Sequence, residues 1–506
     1  MRCKELPLGH LSPKSPSMST KRKLLVALAV ILLVFGGFFY WIWRGTPAQH
    51  TLDELSGKDP VLVAPKEEMI PSVSIAKPIG WAAGEAPSAA PGLQVARFAE
   101  GLDHPRVIYP LPNGDVIVAE ADAPPNNMGG GITGTIAMMI MHRAGANKGS
   151  PDALILLRDT NGDGKADQRF VLRQGNGLAS PSGLAWQNDT LYVANHNAVL
   201  SFPYKLGETA LAGQPSKIMD LPGGGNHWMR NILLSQDGKR LYVAVGSSSN
   251  VGENGPKAEE GRAAIWEKTF ASKEYPRQYA KGLRNPNGLA WNPSTGELWV
   301  TVNERDQLGP DLVPDYLTNV PVGAHYGWPW VWWKTHEDTR PNYGPPEYFD
   351  DYVRKPEYAL GAHVAALGMA FVQGGALLGP NYANGAVIAR HGSWNRTPLS
   401  GYDVVFVKFD ARGNPQGLPQ PVLGGFLNGN GKTRGRPTWV AFAHDGALLV
   451  SDDTGGIIWR VTAPGAKPAT AIVPVVSEKI PPLRSIIAPT GQNTLKLKQD
   501  SLGKKQ

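Results

Sequence analysis

The chain has 506 residues, 59 of them glycine and 44 proline, with 18% charged, so it can bury a large core but is too rich in turns for a helical bundle. Its net charge of +7 sits at the ends: residues 1–23 carry six Lys/Arg against one Glu and residues 480–506 five against one Asp, leaving the body near −2 and no case for nucleic-acid binding. One cysteine, Cys3, excludes an internal disulfide, a C-x-x-C-H haem attachment and a thiolate metal site.

The basic segment 1–23 ends in Lys21, Arg22 and Lys23, and Leu24 to Trp43, LLVALAVILLVFGGFFYWIW, follows without a charge. At ~1.5 Å per residue this run spans a ~30 Å hydrocarbon layer, which predicts a transmembrane anchor helix over 24–43. Only Arg44 follows closely before Asp53 and Glu54. The positive-inside rule then puts the N-terminus in the cytoplasm and the rest on the outer, periplasmic side of the inner membrane. A cleaved signal peptide would have a shorter apolar region and an A-x-A-like site, which is missing here. Met18 opens MSTKRKLL, a more typical start for an anchor than the stretch ahead of it, and a chain starting there would lack Cys3. Residues 44–90, rich in Pro and Ala, read as a linker, and residues 466–506 as a polar tail.

Across 91–465 one phrase recurs six times. GLDHPRVIYPLPNGDVIVAEAD begins at 101, GLASPSGLAWQNDTLYVANHN at 177, GNHWMRNILLSQDGKRLYVAVGS at 225 and GLRNPNGLAWNPSTGELWVTVNE at 282, with looser copies at 363 and 433. Each joins a polar lead-in and a short apolar strand to a turn and a second β-rich strand, a hairpin pattern repeated every ~45 to 80 residues. Six such units, each with room for about four strands, predict an all-β, six-bladed β-propeller. The apolar residues do not recur at the spacing of a helical solenoid.

In a closed propeller, equivalent positions of the repeats surround the central channel. Aligned on their apolar strands, the copies put Asp103 and His104, Ser180, His227, Arg284 with Asn285, His363, and Arg434 with Arg436 on one rim, the concave kind of place that ligands occupy. Pairing of each with a carboxylate elsewhere is the structural alternative. His227, in GGGNHWMRN, suits a general base. Arg284, Arg434 and Arg436 offer planar forks for carboxylate or quinone oxygens, the last two on one side of an extended strand. Two acidic loops suit Ca²⁺: 303–317 with Glu304, Asp306, Asp311 and Asp315, and DTNGDGKAD with Asp159, Asn161, Asp163 and Asp167. The second has EF-hand-like spacing, but Phe170 stands where a bidentate Glu belongs, and a solvated turn is the alternative for either loop. The aromatic run HYGWPWVWWK, 325–334, suits sugar stacking and core packing alike.

Taken in order, NHW with RN downstream, GLRNPNGLAW, the acidic loop followed by HYGWPW, and TRGRPTWVAF resemble the family of soluble glucose and sorbosone dehydrogenases dependent on pyrroloquinoline quinone (PQQ). The likeness is closest to membrane-bound L-sorbosone dehydrogenases and covers residues 90–465. It implies a six-bladed propeller that holds PQQ and Ca²⁺ over its channel. It also implies oxidation of an aldose or sugar aldehyde, with electrons passed to a separate quinone or cytochrome. By resemblance, His227 takes the hydroxyl proton while hydride passes to the PQQ C5 carbonyl. Arg284 stands beside that carbonyl, Asn285 is its neighbour at the cofactor, and Arg434 and Arg436 hold the PQQ oxygens. Glu304, Asp306 and Gln307 fall in the loop that gives calcium its oxygens, partly backbone. Where the glucose enzymes have a lysine at the cofactor, this chain has Arg390, His391 and Arg396, and His391 is taken as the cofactor contact; where their calcium loop has Gly-Pro, it has Asp306 and Gln307. Two other readings stand beside this one. A Ca²⁺-dependent six-bladed hydrolase or lactonase would use the acidic loop and no arginine ring; a membrane-tethered binding propeller would use neither.

Overall fold

The computed structural model describes residues 19–43, 46–68, 73–124, 139, 142–145, 149–272 and 275–472. Cys3, Met18 and all of the expected tail beyond residue 472 lie outside the described residues.

The apolar runs of the six repeats become the second strand of six blades: Val116–Glu120, Thr190–Ala194, Arg240–Val245, Leu298–Asn303, Gly385–Arg390 and Leu448–Asp452. They are buried along nearly their whole length. Such Val/Leu/Ile-rich strands suit a sheet covered on both faces by neighbouring sheets. Each pairs with an inner strand: Pro105–Pro110, Gly183–Gln187, Ile232–Leu234, Asn285–Trp291, Ala366–Phe371 and Pro437–Phe442. These inner strands begin within a few residues of the polar lead-ins of the six repeats. In the first repeat the connecting turn rests on Asn113 and Gly114, the glycine at φ 94°, a conformation that L side chains rarely adopt.

Two further strands complete each antiparallel sheet. Six apolar cores result, one between every adjoining pair of blades. Val107 and Leu154 meet Leu184 and Phe202 between blades 1 and 2, for example, and Trp299 meets Phe371 and Val405 between blades 4 and 5. The sixth core, where Phe98, Leu449 and Ile458 meet Ile108 and Val118, joins the last blade to the first and closes the ring. The outer strand of blade 6 comes from the other end of the domain: Gln94–Glu100 pairs with Ile457–Thr462, Glu100 opposite Ile457. This strand lies outside the six repeats, and the repeat pattern does not predict it.

The segment expected as a linker packs on the propeller. Ser56–Gly57 adds to the edge of blade 4 opposite Leu360 and Ala359, Lys77–Pro78 runs beside Lys432–Thr433, and Ser88–Ala89 adds to blade 5. Leu55 and Ala76 are fully buried. Strands of two residues leave no periodic pattern, so Pro/Ala-rich composition alone misreads this strap.

Helix Thr20–Trp43 precedes the strap. Among the described residues no helix is long and apolar enough to cross a membrane. The anchor expected over 24–43 therefore gains no support from the described structure.

Candidate active site

The antiparallel hairpin of each blade brings two chain points to one face: the start of the inner strand and the end of the second. Pro105 lies opposite Glu120, Asn285 opposite Asn303, Ala366 opposite Arg390 and Pro437 opposite Asp452. The rim is therefore built from strand heads (His104, Ser180, His227, Arg284, His363, Arg436) and from the residues that follow the second strands (Asp122, Ser247, Asp306, His391, Asp453). Three heads hold a left-handed backbone without glycine, His104 at φ 50°, Ser180 at 46° and His363 at 57°. Such conformations persist where the surroundings enforce them, often at functional sites.

His227 is held in one tautomer. Its Nδ1 lies 3.0 Å from the Ser247 carbonyl and 2.9 Å from Ser247 Oγ, whose proton goes to the Ser249 carbonyl at 2.7 Å. A carbonyl only accepts, so Nδ1 carries the hydrogen and Nε2 is the basic nitrogen. Burial, reinforced by the charge of Arg284, pushes the pKa of His227 down to about 3, so the ring is neutral at physiological pH. Gly246 lets His227 and Asn285 converge: a Cβ there would stand 2.5 Å from Asn285 Oδ1 and 2.6 Å from His227 Cβ.

Arg284 differs from the expectation. Its Nε donates to the Asn250 carbonyl at 3.1 Å, Nη1 to the carbonyls of Glu304 (2.5 Å) and Asn303 (3.5 Å), and Nη2 to Asn250 Oδ1 and Asp306 Oδ2, both at 2.9 Å. All five guanidinium hydrogens are spent inside the protein, and the residue is 5% exposed. Arg284 presents no free fork to a ligand; it clamps the 250 and 303–306 loops and projects its charge toward His227. Asp306 also accepts from Asn395 Nδ2 at 2.9 Å and lies 3.4 Å from His363 Nδ1. Burial raises its pKa, but Arg284 and His363 outweigh this and hold it below the usual carboxylate range.

A second cluster lies across blades 5, 6 and 1. His391 Nε2 donates to Asp453 at 3.0 Å, Arg106 pairs with the same carboxylate, and His104 Nδ1 donates to the Asp453 carbonyl at 2.9 Å. Burial raises the pKa of Asp453, yet His391 and Arg106 pull it well below its ordinary value. Arg106 also lies 5.5 Å over the Trp228 ring, linking this cluster to the His227 loop. Arg436 stacks 4.8 Å over Tyr402 and is 6% exposed. Arg434 does not join it: its Nε pairs with Glu85 at 3.4 Å and it lies over Trp81, both on the strap. The two forks expected on one side of the strand therefore do not stand side by side.

Neither acidic loop forms a calcium cage, and among the described residues no group of three or more His, Cys, Asp or Glu could hold a metal ion. In 303–317 each acid has a partner: Glu304 holds Arg305 at 3.0 Å, Asp306 holds Arg284, Asp311 holds Arg396 at 3.0 Å, and Asp315 accepts the amides of Glu304 and Ala365. Gln307 is tied to Asn250 and to the Glu68 carbonyl. In the outer loop, Asp159 accepts the amides of Gly162 and Gly164, Asn161 that of Asp163, Asp163 that of Lys165, and Asp167 that of Thr160. Of the aromatic run, Tyr326, Trp328, Trp332 and Trp333 are buried, while Trp330 lines an open groove of about 830 Å³ with Tyr343, Asp338 and Asn342.

Several buried rim atoms have no partner among the described residues: Nε and Nη2 of Arg436, Nε of Arg106, and the Oδ1 atoms of Asn285 and Asn395. Leaving such groups unpaired costs about 1–3 kcal/mol each, and they are available to a ligand. Guanidinium donors call for an anion, and the neutral imidazole accepts a proton. Ser247, Asn250, Arg106, Asn395 and Asp453 were not singled out from the sequence. The signal lay in the ends of the repeats (VAVGS, VTVNE, LVSDD), which share the face on which the strand heads were aligned.

The TrAA12-like family model matches residues 153–352 and 347–464. An uncharacterized protein of Borreliella burgdorferi is 32% identical over 241 residues, 46% of this chain and 60% of that one. A pyrroloquinoline quinone-dependent pyranose dehydrogenase of Coprinopsis cinerea is 25% identical over 450 residues, 74% of this chain and 55% of that one. The chain thus spans little more than half the length of these curated relatives. Among solved structures, the Trichoderma reesei carbohydrate-active enzyme of family AA12 in its calcium form aligns with a TM-score of 0.59 at 20% identity, covering 75% of this chain and 97% of that one. The holo PQQ domain of the Coprinopsis cinerea pyranose dehydrogenase aligns with a TM-score of 0.56 at 22% identity, covering 77% and 100%. These likenesses support the six-bladed propeller.

Proposed function

Because the chain belongs to the TrAA12-like family, we propose that it is a PQQ-dependent oxidoreductase that oxidises a sugar, an aldose or a sorbosone-like sugar aldehyde. The observation that carries this reading is one rim holding both an oriented neutral base, His227, and buried guanidinium nitrogens of Arg436 and Arg106 without partners. PQQ bears three carboxylates and an ortho-quinone, so its anions match those donors, and the residues present fit it. When bound, it supplies the two-electron acceptor that no side chain here can provide.

The chain's own part is to bind and orient. Arg436, stacked on Tyr402, pairs with a carboxylate through Nε and Nη2. Asn285 and Asn395 present amide oxygens, which accept from donors on the ligand such as a sugar hydroxyl. His227 takes the proton of the sugar hydroxyl at Nε2, while Ser247 keeps the opposite nitrogen protonated. An anion on the rim offsets the field of Arg284 and raises the basicity of His227 toward what the step requires.

Calcium at 304–307 is not part of this proposal, because the acids and carbonyls of that loop already have donors. The same fact removes the ligand set a Ca²⁺-dependent hydrolase would need there. The membrane attachment of 24–43, with the propeller outside the cytoplasm and electrons leaving to a membrane quinone or a cytochrome, also belongs to the proposal. It rests on the uncharged run and the basic cluster at 21–23. Adding PQQ to the purified apoprotein and following reduction of a dye by aldoses and sorbosone tests the activity. Sugar-dependent dye reduction is expected, and PQQ binding without it for any sugar or aldehyde would defeat the proposal.

A further inference from the structure

Four carbonyls of the 303–307 loop are taken up by donors on side chains or by the strap. Asn303 and Glu304 accept from Arg284. Asp306 accepts from Arg340 Nη1 at 2.8 Å and from Asn250 Nδ2 at 3.2 Å, and Gln307 accepts from the Glu68 amide at 3.1 Å and, more weakly, from Arg340 at 3.4 Å. Arg340 is itself held rigidly. Asp338 grips it in a two-point pair, at 2.8 Å to Nε and 2.7 Å to Nη2. Asp338, 1% exposed on its side chain, also holds the fully buried Arg305, which pairs with Glu304.

We propose that in this chain Arg340 stands in for the loop cation, so that PQQ binds with no calcium at 303–307. The inference rests on the PQQ reading above. Arg284 and Arg340 supply the donors to the loop carbonyls, while Asp306 and Asp338 balance their charges. A calcium ion needs six to eight oxygens at 2.3–2.6 Å, and it could recruit these carbonyls only by displacing guanidinium donors locked by buried carboxylates. Where the resembling calcium loop has Gly-Pro, Asp306 here adds a carboxylate whose charge is matched by Arg284. The loop thus has its shape fixed and its carbonyls satisfied by the chain's own guanidinium donors.

The test reads calcium against the apoprotein first. All samples carry Asp163→Ala, which disables any cation seat in the outer 159–167 loop. Thermal unfolding is followed in millimolar calcium and in chelator, for this background and with Arg340→Gln added. The background should unfold at the same temperature in both, whereas Arg340→Gln should be less stable in chelator and recover in calcium. Equilibrium titration with PQQ should give background dissociation constants within about twofold in the two solutions, and at least a tenfold calcium dependence in Arg340→Gln. If Arg340→Gln does not fold, Arg340→Lys, which keeps the charge but loses the fork, replaces it, with calcium effects expected in the same direction but smaller. Calcium stabilisation of the background, or a tenfold loss of its PQQ affinity in chelator, would overturn the inference. Failure of PQQ to bind in either solution would instead defeat the cofactor reading, and the unfolding experiment would still decide whether the loop takes calcium.

Discussion

Arg284 gives the sharpest test of how the rim is built. An arginine that served only as a fork for a bound ligand could be replaced with little effect on the empty protein. The structure instead has all five of its hydrogens donated to Asn250, Asn303, Glu304 and Asp306. Arg284→Gln removes the charge and leaves the part-buried Asp306 with His363 and Asn395 as its remaining partners. Breaking a fully buried pair on one side costs about 3–5 kcal/mol, and the partial exposure and surviving partners of Asp306 put this case near the lower end. Arg284→Lys keeps the charge but brings three hydrogens from one point in place of five from a planar fork. At about 1 kcal/mol per lost hydrogen bond, it should cost roughly 2 kcal/mol. Urea unfolding of the apoproteins should therefore rank wild type above Lys and Lys above Gln. Proton NMR titration of the Gln variant should show the His227 pKa rising from about 3, since one of its two main depressing influences is gone. Apoprotein stability of Arg284→Gln within ~0.5 kcal/mol of wild type, with an unmoved His227 pKa, would refute this account of the residue.

Three other expectations follow from the same geometry. His227 has a folded pKa of about 3 against an ordinary 6.5, so between these values the unfolded chain binds a proton that the folded one refuses. Stability is then complete above pH 6.5 and falls as pH drops, by about 2 kcal/mol at pH 5; His227→Asn should remove that share of the decline in urea unfolding, and identical declines would contradict it. Arg436→Gln should weaken PQQ binding about tenfold to a hundredfold, as loss of a charge-assisted hydrogen bond does, while costing the apoprotein no more than the ~0.5–2 kcal/mol of its stacking on Tyr402, because Nε and Nη2 have no hydrogen bond to lose; unchanged affinity in an equilibrium titration would take Arg436 out of the site. Gly246→Ala should cut turnover and cost ~1–3 kcal/mol of stability, because the added methyl lands between Asn285 Oδ1 and His227 Cβ; wild-type turnover would mean that the two side chains need not converge.

The six inner strands follow the repeated phrase, because a strand head marked by Pro, Asn or Gly next to a Leu-Ala-Trp-like run is a local signal. What stayed hidden is what distant segments contribute. Gln94–Glu100 closes blade 6 from more than 350 residues away, and the strap adds its strands two residues at a time. At the rim, residue types were legible but pairings were not. Asp306 reads as a calcium ligand until Arg284 and His363 are seen beside it, and Gln307 until Arg340 and Glu68 cover its carbonyl. His227 and Arg436 keep their expected setting because the hairpin geometry of each blade places the strand heads on one face. Arg434, two residues away from Arg436, turns to Glu85 on a segment that composition describes as a linker.

The measurement that bears most directly on the central claim is the absorbance of PQQ-loaded protein mixed anaerobically with an aldose or sorbosone. With no outside acceptor, any change in the bound quinone must come from the sugar. Sugar-dependent bleaching of the quinone is expected in the wild type, slowed by on the order of 10²–10⁴ in His227→Ala with PQQ affinity little changed. Bound PQQ that stays oxidised with every sugar, or bleaching equally fast without the imidazole, would contradict it.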